Sequence, residues 1–216
     1  MRVQRAMLSA GERSMAIGDL KRWDAERLTS SGLVACDIET SGLDPHGDEI
    51  GTVQFFAYGV GAVVVKVEGD KRPENICGLL ENEQVQKVFH HAPFDLRFMV
   101  AKWGIEPRNI ACTKIASKLV DRHASADEHS LKHLLWQHLG ISLDKGQRRS
   151  NWLAAELTDE QLRYACADVE SLIVLLQHLQ GRLEELGLEE RYEDCLQFLP
   201  TRVHLDLGGW SDVFLY

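Results

Sequence analysis

The sequence predicts an α/β fold with a mixed central sheet flanked by helices. Three observations carry that prediction. Short apolar runs open the chain as an antiparallel group, later runs alternate with helical patterns, and the end reads as all helix. At 216 residues, with 44% hydrophobic and 26% charged side chains, the chain suits one domain with a full core.

The elements follow in order. Residues 1–14 carry basic side chains but no apolar core of signal-peptide length, so they read as a flexible leader. DLKRWDAERL is a short amphipathic helix. LVACDI, residues 33–38, runs apolar between Ser31-Gly32 and Thr40-Ser41-Gly42 and reads as a buried strand. Residues 51–58 and 61–67 are β-rich and joined by a glycine-bearing turn, which predicts a hairpin. Helix is expected at 74–81, strand at 85–90, and helix at 94–103 with Pro93 near its first turn. A strand at 110–113 leads into a helix at 114–120, and the helix at 129–139 stops at Gly140. Residues 143–152 form a polar loop, and Thr158 with Gln161 is a capping box that opens one long helix to 186.

The net charge of −9 argues against a broad electrostatic grip on duplex DNA, although a short nucleic acid needs few phosphate contacts. The five cysteines are scattered with no C-x-x-C pair, as expected of buried free thiols in a reducing compartment, and we expect a cytoplasmic protein. No apolar stretch approaches the ~18 residues of a membrane span.

Five residues in three blocks carry the chemistry. Asp37 and Glu39 lie in LVACDIETSGLDP, Asp95 in FHHAPFDLRF, and Tyr164 with Asp168 in LRYACADVESL. Each block sets a carboxylate in an apolar run, where an unpaired charge costs several kcal/mol or more. Residues two apart on a strand share a face, so Asp37 and Glu39 project together at the carboxyl end of the first strand. Tyr164 and Asp168, four apart, share a helix face, and Asp95 near its own helix start can reach the same point. Oxygen ligands without Cys or zinc-spaced His favour Mg²⁺ or Mn²⁺. Four carboxylates suffice for two ions, an arrangement suited to phosphodiester hydrolysis.

D-I-E, then H-x-x-x-D, then Y-A-x-x-D resembles the DEDD exonuclease superfamily in its tyrosine branch. CTKIASKL, HSLKHLLWQHLGISLDK and NWLAAELTDEQLRYACADVESL resemble the ribonuclease D exonuclease domain over most of residues 33–180. The short length, with no room for ribonuclease D's extra helical domains, CTKIASKL and FLPTRVHLDLGGW look more like the nanoRNase C branch, a diribonuclease and oligoribonuclease.

The resemblance implies a ribonuclease H-like fold, a 3′-5′ exonuclease at residues 15–186, and a C-terminal helix and apolar tail at 187–216 that contacts other subunits of a homo-oligomer, an octamer. It implies short RNA oligonucleotides, down to dinucleotides, as substrate. It places Asp37, Glu39 and Asp168 on a first metal ion, Asp37 also on a second, Asp95 supporting the second, and Tyr164 orienting the attacking water. Thr40, Leu43, His91, Lys145, Arg148 and Arg149 are the candidate substrate contacts. Leu43 is either a wedge between bases or a loop leucine tucked into the core. The Lys145, Arg148 and Arg149 cluster suits a terminal phosphate. Cys112 and Asn151 stand where relatives often carry Asp, neither at a metal position. The rival readings are a general exonuclease on DNA or longer RNA, and an inactive scaffold that has kept the fold.

Overall fold

The computed structural model describes residues 13–69, 71–143, 146–147, 149–210 and 212–215. The strands are β1 (Arg13–Ile17), β2 (Leu33–Thr40), β3 (Ile50–Ala57), β4 (Gly61–Lys66), β5 (Gln86–Phe89) and β6 (Ile110–Cys112). They make one six-stranded sheet in the order β1-β4-β3-β2-β5-β6. β3 is antiparallel to both of its neighbours, β2 and β4, while β1 pairs with β4, and β5 with β2 and β6, in parallel. The expected hairpin is β3–β4, and its strands are buried almost throughout.

β1 lies partly within the stretch read as leader. Only Ala16 of its five residues is buried, and Met15 and Ile17 face outward, so the strand has too little apolar alternation to be seen in sequence. It is held as an edge by its ladder to β4 and by Arg13, whose guanidinium donates to both carboxylate oxygens of Glu170 at 2.9 and 3.1 Å. Residues 1–12 lie outside the described residues.

The helices are α1 (Arg22–Ser31), α2 (Glu74–Glu81), α3 (Ala92–Trp103), α4 (Thr113–Val120), α5 (Leu131–Leu134), α6 (Asp159–Glu170), α7 (Leu172–Leu186) and α8 (Glu189–Leu207). The helix expected at 129–139 starts later and splits: α5 runs one turn and continues as a π-helical turn, Leu135–Leu139, closed by Gly140 at φ 66°. The Thr158–Gln161 capping box is present in both directions. The single helix expected from it is two helices broken at Ser171 (φ −107°, ψ −3°). α6 lies across β2, β3 and β4, whereas α7 packs on α4, β2 and β5, and one straight rod cannot cover both.

The two faces of the central strands differ. Cys36, Ile38, Val53, Phe55, Val63 and Val65 point into the main core. The opposite face carries Asp37 and Glu39, and its Ala62 and Val64 pack against Trp152, Ala165 and Cys166. At the far edge, the Tyr192 hydroxyl accepts from the Cys112 amide at 3.0 Å and donates to the Cys112 carbonyl at 3.3 Å. That one side chain pairs the Cys112 backbone on the unpaired side of β6 as another strand would, and pins α8 to the sheet.

Candidate active site

Asp37 and Glu39 project from one face of β2, just before a register shift between Glu39 and Thr40, the last residue paired with β3. α6 runs over this face and brings Tyr164 and Asp168 down from one side of its turn. One ligand oxygen each from Asp37, Glu39 and Asp168 lies within 4.8 Å of the others. Among the described residues this is the one group of His, Cys, Asp or Glu side chains with such spacing.

Asp95 approaches from the first turn of α3. Its carboxylate is 3% exposed, and Oδ1 accepts a hydrogen bond at 3.2 Å from the amide of Ile38, the residue between Asp37 and Glu39. The fourth acid is therefore fixed to the backbone of the strand that carries the first two. Asp37 Oδ2 accepts from Gln54 Nε2 at 3.0 Å.

Crowding of like charges in a partly dry site sets the electrostatics. Burial, then Asp95, Glu39 and Asp168, push the Asp37 carboxyl well above the usual carboxylate range, against the opposing hydrogen bond from Gln54. Burial pushes Asp95 up to about 8, with the Ile38 amide opposing it. Burial and the neighbouring carboxylates raise the Tyr164 phenol, which hydrogen-bonds Asp168 and stays protonated at neutral pH. Each group gains from a nearby positive charge. The donors are all oxygen, so the residues fit a hard divalent cation such as Mg²⁺ or Mn²⁺ rather than zinc.

The candidate substrate contacts separate on inspection. Leu43 is 77% exposed at the tip of the loop after β2, so it is not tucked into the core. The loop is braced by Asp48, which accepts from Ser41 Oγ at 3.1 Å and from the Asp44 amide at 2.9 Å. A Cβ on Gly42 would run into the Asp48 carboxylate, so a larger residue there would push the brace aside. Thr40 spends its hydroxyl on the same turn, donating to the Gly42 carbonyl at 2.6 Å. His91 is exposed and heads α3 in left-handed backbone, φ 82°. Arg149 is exposed, and Lys145 and Arg148 lie outside the described residues.

Sequence reasoning missed Gln54. Its signal was present: Thr52 and Gln54 are polar at period two inside an otherwise apolar strand, and register sets them opposite Glu39 and Asp37.

A family model described as 3′-5′ exonuclease matches residues 19–184. Ribonuclease D of Haemophilus influenzae is 28% identical over 172 residues, covering 79% of this chain and 42% of that protein. The chain spans half or less of the length of such sequence relatives. Several solved structures match nearly end to end. Brucella melitensis NrnC with bound Mg²⁺ is 37% identical with a TM-score of 0.87, covering 94% of this chain and 98% of that one. The same Brucella protein bound to pGG is 36% identical with a TM-score of 0.88, covering 95% and 99%.

Proposed function

We propose a reaction from one premise: this chain belongs to the 3′-5′ exonuclease family, of the DEDD type, with a ribonuclease H-like fold similar to that of nanoRNase C. As such it is a hydrolase of phosphodiester bonds. Its substrates are short oligoribonucleotides, down to dinucleotides, and its products nucleoside 5′-monophosphates.

The observation that carries the reading is the meeting of Asp37, Glu39 and Asp168 within 4.8 Å, with Asp95 tied beneath them. The near end-to-end likeness to a structure bound to pGG supports the choice of substrate. Asp37, Glu39 and Asp168 hold one ion, and Asp37 with Asp95 a second. Such ions supply Lewis-acid stabilisation of the phosphate's charge and acidify the attacking water. Tyr164 is protonated and therefore orients that water rather than deprotonating it. Leu43 meets a base of the substrate, a role that its exposure on the braced loop supports.

Residues 15–186 with β1 make the exonuclease unit. α8 and the apolar tail, where Trp210, Val213, Phe214 and Leu215 are exposed, form a contact of a homo-oligomer, an octamer. Among the described residues no helix is long and apolar enough to cross a membrane, and we place the protein in the cytoplasm.

Incubation with Mg²⁺ and 5′-labelled RNAs of two residues, seven residues and duplex form tests the reading. Dinucleotides should be consumed fastest, by at least about tenfold or ~1.4 kcal/mol. Dinucleotides that persist while longer strands or DNA are digested would overturn it in favour of a general exonuclease.

A further inference from the structure

We propose that Gln54 is a positioning residue for the metal site: it holds Asp37 by one oxygen, fixes the plane of that carboxylate, and so sets the affinity for the divalent cation. This rests on the metal-dependent reading above and goes beyond it to a residue on another strand.

Gln54 lies directly across the antiparallel ladder from Asp37, so the two side chains rise from the same face of the sheet. Its Nε2 donates to Asp37 Oδ2 at 3.0 Å. The side chain is fully buried, with Val64 beside it on β4 and α6 above. Its other polar atom, Oε1, is buried with no hydrogen-bond partner among the described residues. An amide half satisfied in an apolar layer is an expensive choice, and methionine would fill the space without it. The cost is explained if the N–H toward Asp37 is what the position requires.

The chemistry of the donor supports this. A lysine or arginine here would also grip Asp37, but would bring its own positive charge and compete with the cation. A carboxamide orients the carboxylate and leaves its charge for the ion. With one oxygen engaged, the group cannot rotate freely, so less order must be imposed when metal binds. Thr52, opposite Glu39, is equally buried, and its Oγ1 likewise lacks a partner. It makes no bond to the acids and serves as the matched control.

The test is calorimetric titration of the whole protein with Mg²⁺, without substrate, in wild type, Gln54→Met, Gln54→Asn and Thr52→Val. Met removes the donor at similar size, and Asn withdraws it by one methylene. Either should weaken Mg²⁺ binding roughly 10- to 100-fold, while kcat at saturating Mg²⁺ stays within a few fold. Thr52→Val should bind as wild type does. A folded Gln54 variant that binds within twofold of wild type overturns the proposal, and so does an equal loss in Thr52→Val, which would signal general loosening. Should Gln54→Met not fold, Gln54→Asn decides. Wild type that binds no Mg²⁺ at all would instead strike the metal-dependent reading itself.

Discussion

Replacing Asp95 by Asn should make the metal-free protein more stable while destroying its activity. Asp95 is 3% exposed, and burial pushes its carboxyl from 3.8 up to about 8. In chelator, the folded state therefore keeps a proton that the unfolded chain releases near 3.8. Between those values the native state binds more protons, so wild-type stability falls as pH rises through the window. The gap from 3.8 to neutral pH, at about 1.36 kcal/mol per unit, sets a ceiling of about 4 kcal/mol. The realised value is smaller, because Asp37 competes for the same proton.

Asn at 95 still offers an oxygen to the Ile38 amide, so the hydrogen bond at 3.2 Å survives and only the capacity to ionise goes. Urea unfolding in EDTA should show Asp95→Asn more stable than wild type by about 1–4 kcal/mol at pH 7, the difference closing below pH 4. Excess Mg²⁺ should reverse the order, since the wild type gains more from binding. A variant less stable than wild type at pH 7 in EDTA, or a difference independent of pH, would show that Asp95 does not hold its proton in the folded state.

Three further outcomes are expected. Tyr164→Phe should lower kcat by up to about 100-fold with Mg²⁺ affinity unchanged, as rapid-quench kinetics and calorimetry would show, because the phenol orients and does not ligate. Tyr192→Phe removes the hydroxyl that satisfies both the amide and carbonyl of Cys112, and should cost about 1–3 kcal/mol in a urea melt. Burial lowers the Lys87 ammonium to about 8 although it donates to the carbonyls of Asn82 and Val85 at 2.5 and 2.7 Å. The unfolded chain then holds more protons from pH 8 to 10.5, so wild-type stability relative to Lys87→Met should rise across that range.

Much of the site's placement was legible in the sequence, because it depends on local periodicity. The spacing of two on β2 sets Asp37 beside Glu39, and the spacing of four on α6 sets Tyr164 beside Asp168. The capping box marked where α6 begins. What escaped depends on partners distant in the chain. β1 is a strand because β4 offers it a ladder and Glu170 an ion pair, not because its own residues insist on it. The break at Ser171 answers to two different packing surfaces rather than to a helix-breaking residue. Gln54 acquires its role only once the hairpin register is known. Leu43 could be read as core or as tip, and the Asp48 brace beneath its loop turns it outward.

Asp37, Glu39 and Asp168 are proposed to form a divalent-metal centre that acts on a short RNA. Anomalous diffraction from crystals grown with Mn²⁺ and a dinucleotide addresses it directly. A manganese peak ligated by these three carboxylates is expected, with a phosphate oxygen of the dinucleotide on the same ion. Manganese bound elsewhere, with the three carboxylates empty, would contradict it.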